Sequence, residues 1–197
     1  MGALLGTAQQ LFYKPPFPAA DFSGKTIIIT GSNTGLGKDA VEHFARLKSE
    51  RIIIAVRSLA KGEAVKAELE AKCKPEGSID VWELDYSKYA SVKAFVAKAA
   101  TLDRIDAAIL NAGVATEKFE LFEEDESQVT VNVVSTMLLA LLLLPVLRKV
   151  ASKHHIVPVI SVTSSAAHNF AINFRERTAE NIFQALNDEK KTVMPEQ

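Results

Sequence analysis

Apolar positions along the chain fall into two alternating rhythms. Short runs rich in Ile or Val occur at residues 26–30, 51–55, 79–83, 105–110 and 156–162, each of strand length. Between them, at about 36–48, 60–72, 87–100 and 127–152, apolar residues recur every three or four positions, as one face of a helix requires. Strict alternation of strand and helix predicts a parallel sheet of five strands. Right-handed crossovers leave few orders for such strands, and a doubly wound α/β sheet in the order 3-2-1-4-5 is expected. That fold places a ligand crevice at the carboxyl ends of the strands.

The third and fourth helices differ in character. Val92, Phe95, Val96 and Ala99 share one face of the third while Lys93 and Lys98 point elsewhere, so it should cover one side of the sheet. The fourth is apolar all round from Met137 onward, which calls for cover on more than one side and points to a partner surface, such as a second copy of the chain meeting the 127–152 helix. The run from Met137 to Leu144 is much shorter than the roughly 20 residues that cross a bilayer, so a buried helix and no transmembrane segment are expected. Pro145 removes a backbone donor and should bend this helix or begin a new turn. Near the amino terminus, Lys14-Pro15-Pro16-Phe17-Pro18 breaks any helix early and no cationic stretch precedes an apolar one. Residues 1–21 therefore read as a surface arm rather than a secretory signal, and residues 22–197 as one domain.

Composition narrows the partners. With 197 residues, 48% of them hydrophobic and 24% charged, the chain suits a single folded domain. A formal net charge of -1 offers no footprint for nucleic acid or for an anionic membrane, so a partner must be recognised locally. Cys73 is the only cysteine and lies between Lys72 and Lys74, which predicts an exposed helix end and a reducing, cytoplasmic setting.

The chemistry begins directly after the first strand, at Thr30-Gly31-Ser32-Asn33-Thr34-Gly35-Leu36-Gly37. The spacing G-x-x-x-G-x-G differs from G-x-G-x-x-G but uses glycine for the same ends: a tight turn, close backbone approach and helix packing. Backbone amides and the positive end of the following helix then face a pyrophosphate. Gly31, Ser32, Asn33, Gly35, Leu36 and Gly37 are thus read as cofactor-binding; a glycine turn without function is the competing reading. At the end of the second strand stands Arg57, where an acidic residue would bind ribose hydroxyls in an NAD-preferring site. A guanidinium there can hold a 2′-phosphate, which favours NADP(H) over NAD(H). A solvated strand-end arginine is the alternative.

These residues resemble the short-chain dehydrogenase/reductase family, in particular its retinol-dehydrogenase-like fungal members. The resemblance runs from Phe22 to the end and includes Leu84-Asp85, Asn111-Ala112-Gly113, Val131-Asn132-Val133 and Ser164-Ser165. It implies a Rossmann-type sheet and hydride transfer between NADP(H) and a hydrophobic alcohol, ketone or aldehyde. It implies that Asp85 receives the adenine amino group and that Asn111, Ala112 and Gly113 form the turn supporting the adenosine ribose. By the same resemblance Asn132 holds the water relay, and Ser165, or its neighbour Ser164, bonds the substrate oxygen. A structural asparagine that caps or bends the helix, and a plain serine-rich turn, are the competing readings.

The family's proton donor is a tyrosine followed four positions later by a lysine, and no such pattern follows Ser165. Tyr13, Tyr86 and Tyr89 all precede it, and none is expected to substitute. Residues 183–196 resemble the stretch that leads into this motif, so the domain is expected to be C-terminally incomplete. His168 is the best-placed alternative acid, with an ordinary loop histidine the competing reading. Phe170, Ile172, Phe174, Ile182, Phe183 and Leu186, interspersed with charges, read either as a lid over an apolar substrate or as an amphipathic packing segment. No metal site is expected, because His154 and His155 lack partners at ligand spacing. Two functions stay open: an NADP-dependent oxidoreductase, or a catalytically silent dinucleotide-binding or interaction protein. A misread or prematurely ended reading frame is a third possibility.

Overall fold

The Ile- and Val-rich runs enter one sheet because they are apolar on both faces. In β1 (Thr26–Thr30) all residues are buried, as in a strand covered by helices on each side. The structure, a computed structural model, describes residues 16–165 and 175–189. After β1 come α1 (Gly35–Arg46), β2 (Arg51–Val56), α2 (Leu59–Cys73), β3 (Ser78–Glu83), α3 (Tyr89–Ala99) and β4 (Ala107–Leu110). A small hairpin, β5 (Leu121–Phe122) and β6 (Asp125–Glu126), leads into α4 (Ser127–Val129), a π-helical turn (Thr130–Ser135) and α5 (Thr136–His154). Then follow β7 (Val159–Val162), a 3-10 turn (Arg175–Thr178) and α6 (Ile182–Leu186). The large sheet is parallel throughout in the order β3-β2-β1-β4-β7, which is the expected 3-2-1-4-5 arrangement.

Successive side chains on a strand point to opposite faces, and this alternation divides the core in two. Ile27, Ile29, Ile52 and Ile54 face one layer with Val41 of α1 and Val65 and Leu69 of α2. Ile28 and Ile53 face the other with Val92 and Phe95 of α3 and Leu139, Leu143 and Leu147 of α5. Two helices on each side of one parallel sheet make the fold doubly wound. Phe22 anchors the start of this unit: its N–H donates to the Leu47 carbonyl at 2.9 Å, and its ring packs edge-on against Phe44 with centroids 4.9 Å apart.

Several boundaries differ from those expected, each for a local reason. The fourth strand starts at Ala107 rather than residue 105 because the Asp106 carboxylate accepts the Thr26 N–H at 2.9 Å and pairs with Arg104 at 2.7 Å. The carboxylate adds to backbone pairing that persists there, the Asp106 N–H donating to the Thr26 carbonyl at 2.9 Å. The third helix starts at Tyr89 rather than residue 87 because the N–H and hydroxyl of Ser87 both donate to Asp85 Oδ1, closing a turn ahead of the helix. The last strand of the sheet begins at Val159 rather than residue 156. The hairpin β5–β6 had no sequence signal, since two residues per strand show no period.

The long apolar helix is irregular before Pro145, not at it: α5 runs unbroken through the proline, whereas residues 130–135 form the π turn. Hydroxyls compete for backbone carbonyls at this turn, with Thr136 Oγ1 donating to Val131 O at 3.0 Å and Ser135 Oγ to Tyr86 O at 2.6 Å. One face of α5 is packed against the sheet and α3; on the other, Val133, Met137, Leu141 and Leu144 are exposed among the described residues. The full stretch Ser127–His154 is long and apolar enough to cross a membrane by length and composition, which the shorter run did not indicate; its stripe Leu139, Leu143, Leu147 and Val150 is buried in this fold.

The two faces predict unequal sensitivity. Leu143→Ala, at a side chain with no exposure, should cost about 2–5 kcal/mol. Leu141→Ala, at 64% exposure, should change stability by less than about 0.5 kcal/mol. Urea denaturation of both variants checks this, and equal losses would mean the outer face is packed.

Candidate functional site

Five strand ends converge on one cavity of about 460 Å³. The loop after β1 supplies Gly31, Asn33, Thr34 and Leu36 to its lining; β2 supplies Arg57, the end of β3 Asp85 and Tyr86, and the end of β4 Asn111 to Val114. Phe122 of the hairpin, Val131 of the π turn and Thr163 after β7 complete the wall. A crevice at the carboxyl ends of parallel strands, where the order reverses between β1 and β4, is where this fold binds ligands.

Glycine is required by geometry at two positions of the loop. Gly31 has φ +65°, and a Cβ there would lie 2.7 Å from the Ala112 Cα. A Cβ on Gly37 would lie 2.5 Å from the Gly31 carbonyl oxygen and 2.6 Å from Asn111 Nδ2. The loop therefore presses directly on the turn after β4. Hydrogen bonds hold the contact: Thr30 Oγ1 accepts the N–H groups of Asn111 and Ala112, each at 3.0 Å, and Asn111 Nδ2 donates to the Thr30 carbonyl at 3.2 Å.

This packing aims the start of α1 into the cavity. The first N–H groups of a helix have no partner within it, and Thr34 at the N-cap makes no side-chain bond to them. No acidic residue lies in the first turn. An anion at this end gains from both the free donors and the helix dipole. Ser32 contributes differently from what its place in the motif implies: its side chain is buried and donates to the Ile29 carbonyl at 2.8 Å, which leaves only its backbone to offer. Leu36 is exposed at the cavity mouth.

Arg57 is exposed and lines the cavity, and among the described residues no carboxylate pairs with it. Asp85 is half-buried; its Oδ1 accepts from Ser87, and its backbone N–H donates to Ser91 Oγ at 2.9 Å. Asn132 lies on the π turn above the Asn111-Ala112-Gly113 turn. Its Oδ1 accepts the Val114 N–H and its Nδ2 donates to the Val114 carbonyl, both at 2.8 Å. The side chain thus fastens the chain after β4, close to the structural role weighed against the relay. Ser164 and Ser165 are exposed beyond β7; of the run 163–165 only Thr163 lines the cavity. His168, Phe170, Ile172 and Phe174 lie outside the described residues, as does Tyr13.

Sequence reasoning overlooked Thr30, Tyr86, Val114, Phe122, Val131 and Thr163 as lining or supporting residues. Tyr86, one position past Asp85, is buried with its hydroxyl 3.5 Å from Thr30 Oγ1. Burial pushes its phenol from an ordinary 10.0 up to about 12, against the opposing effect of hydrogen bonds to Thr30 and Thr136. Its adjacency to Asp85 and the β-end position were the available signals.

With this geometry in view, likeness to other proteins becomes informative. Residues 25–175 match the family model for short chain dehydrogenases. The chain belongs to this short-chain dehydrogenase family. It is 43% identical over 183 residues to the short chain dehydrogenase/reductase dmxR8 of a Cryptosporiopsis species, covering 91% of this chain and 56% of that protein. It is 40% identical over 187 residues to the short chain dehydrogenase atnD of Emericella nidulans, covering 94% of this chain and 59% of that one. The chain thus spans little more than half the length of these curated relatives. Among solved structures, a short-chain dehydrogenase from Sphingobium yanoikuyae in complex with NADPH superposes with a TM-score of 0.63 at 21% identity, covering 86% of this chain and 61% of that one. At that identity the likeness shows the fold: a Rossmann-type sheet flanked by helices.

Two outcomes follow from the site's geometry. Gly31→Ala should be strongly destabilising, because the added methyl meets backbone atoms at a left-handed φ; a thermal midpoint at the parent value would refute the close approach. Tyr86 stays protonated in the folded chain up to about pH 12, whereas in the unfolded chain it ionises near 10.0. Above pH 10.0 the unfolded state therefore binds fewer protons, and stability falls as pH rises toward 12. Tyr86→Phe should flatten that part of the stability–pH curve in denaturant titrations.

Proposed function

We propose that this chain binds NADP(H) and descends from an NADP-dependent oxidoreductase acting on a hydrophobic alcohol or carbonyl compound. The observation that carries the reading is the open N-terminal end of α1 sharing one cavity with the Arg57 guanidinium, which has no carboxylate partner among the described residues. The first suits a diphosphate, the second a further phosphate on the adenosine ribose. On this reading the cavity-lining Asp85 accepts from the adenine amino group, and Asn111 to Gly113 support the ribose. The Sphingobium protein and a short chain dehydrogenase from Escherichia coli were each solved in complex with NADPH, which supports the same ligand class here.

The cofactor, when bound, supplies the hydride. The remaining chemistry belongs to side chains. Carbonyl reduction needs an acid at the substrate oxygen, worth about 10²–10⁴-fold. Ser165 or Ser164 can donate a hydrogen bond to that oxygen, but no tyrosine lies between Ser165 and Gln197. Tyr86 lines the cavity yet is tied to Thr30 and pushed away from neutrality, so it is a poor acid. No other tyrosine lines the cavity among the described residues, which favours a second reading, a dinucleotide-binding protein without turnover of its own. Lone Cys73, half-buried at the end of α2, fits a cytoplasmic setting. The exposed stripe Val133, Met137, Leu141 and Leu144 fits self-association.

Arg57→Glu should weaken NADPH by about tenfold to a hundredfold while leaving NADH within about threefold, as loss of charge-assisted bonds to one phosphate implies. Calorimetric titration with both nucleotides checks this; equal losses would remove Arg57 from the recognition of the 2′-phosphate. To separate the two functional readings, NADPH-dependent reduction of simple hydrophobic aldehydes is compared in this chain and in one carrying a Tyr-x-x-x-Lys segment beyond Gln197. Turnover only in the longer chain supports the silent-binder reading for this one, and turnover in both shows that another group supplies the acid.

A further inference from the structure

The hairpin β5–β6 brings to the cavity a wall that the glycine motif does not explain. Its Phe122 is half-buried against the core and shares the cavity lining with Asp85. Two residues per strand cannot hold such a hairpin in place by themselves. Other elements do so. Glu123 Oε1 accepts the backbone N–H of Tyr89 at 2.7 Å, which joins the hairpin to the start of α3 just past Asp85. Thr130 Oγ1 donates to the carbonyls of Phe122 at 2.9 Å and Asp125 at 3.1 Å, which joins it to the π turn.

The third tether comes from far along the chain. Asn187, directly after α6, meets three consecutive hairpin residues with one amide group. Its Oδ1 accepts the Glu126 N–H at 2.7 Å, and its Nδ2 donates to the Glu124 carbonyl at 2.9 Å and to Asp125 Oδ1 at 3.1 Å. Only a side chain with an acceptor and two donors on one planar group can make this set. A carboxylate would keep the bond to Glu126 and turn oxygen against oxygen at the other two.

We infer that Asn187 is a positioning residue: it latches residues 175–189 onto the hairpin that carries Phe122, so that the grip on the adenosine half of the nucleotide depends on that segment being docked. This rests on reading the cavity as the nucleotide site. The latch makes cofactor binding and the docking of residues 175–189 two aspects of one equilibrium, because a ligand that needs the wall in place binds only the docked population.

The test uses the full chain, with NADPH and with 2′,5′-ADP, which carries the adenosine half alone. Asn187→Ala should weaken both ligands by about threefold to tenfold, the effect of losing a hydrogen-bonded tether, and accelerate trypsin cleavage after Arg175 and Arg177 by a similar factor. Asn187→Asp should be at least as severe, and adding Asp125→Asn should restore part of the loss by returning a donor to the pair. Variants that stay folded by thermal midpoint, bind both ligands as the parent does and are cut at the parent rate overturn the latch. If the parent binds neither ligand, the nucleotide reading fails; cleavage rates then decide the latch alone, with faster cutting in Asn187→Asp and its rescue supporting docking, and unchanged cutting refuting it.

Discussion

The contact on which the rest of the site depends is that of the Gly31 loop against Ala112. It is a backbone-to-backbone approach with no room for a side chain, and it joins the carboxyl ends of β1 and β4, the neighbours between which the winding of the sheet reverses. Thr30 makes the approach possible. The turn after β4 leaves the N–H groups of Asn111 and Ala112 without ladder partners, and one hydroxyl oxygen accepts both. The Asn111 N–H also reaches the Ile109 carbonyl at 3.1 Å, so the donor that depends on the threonine is that of Ala112, and leaving it unpaired would cost on the order of 1–3 kcal/mol.

From Thr30 the polar contacts run on to the helix that carries Asn132. Tyr86 approaches the Thr30 hydroxyl, Ser135 donates to the Tyr86 carbonyl, and Thr136 donates to the carbonyl of Val131. These groups lie in an otherwise apolar layer built from Ile28, Ile53, Leu139 and Leu143. In low dielectric surroundings a satisfied network fixes geometry strongly because each alternative leaves a group unpaired. The π turn is the visible consequence: the helix yields its regular bonding at residues 130–135, where hydroxyls and the Asn132 amide reach outside it. The loop after β1, the turn after β4 and the helix start therefore hold one another, rather than being three independent parts of a lining.

The sheet and its order were legible in the sequence because strands buried on both faces must be continuously apolar. The runs at 26–30 and 51–55 left no alternative pattern, and crossover handedness did the rest. The glycine loop was legible for a steric reason that sequence exposes directly. What escaped were features set by tertiary partners. Phe122 sits in a two-residue strand whose place is fixed by Tyr89, Thr130 and Asn187, none of them near it in sequence except Thr130. The irregular start of the long helix escaped because the signal that was visible, Pro145, is tolerated, while the one that mattered lay in hydroxyls whose partners belong to another segment. At Ser32 the motif marks the backbone, and the buried hydroxyl, whose role in closing the loop onto Ile29 depends on the folded turn, carried no signal of its own.

Net charge and local field point in different directions in this molecule, and the local field governs recognition. With 24 acidic against 23 basic side chains, the chain as a whole has no attraction for a polyanion. Yet the cavity joins a helix end with no acid in its first turn to an arginine without a carboxylate partner among the described residues. The two differ in what they can discriminate. A diphosphate is common to every dinucleotide, so donors at the start of α1 raise affinity for all of them alike and contribute no preference. Specificity is a difference of affinities, and only a group that touches what differs can create it. Among the described residues Arg57 is the one cavity-lining cation, so under the proposed function the choice between phosphorylated and unphosphorylated nucleotide falls to that single side chain. Because Arg57 is exposed, screening would weaken its charge–charge attraction for a phosphate, and under the proposed function bidentate hydrogen-bond geometry, rather than bare Coulomb attraction, would carry the discrimination.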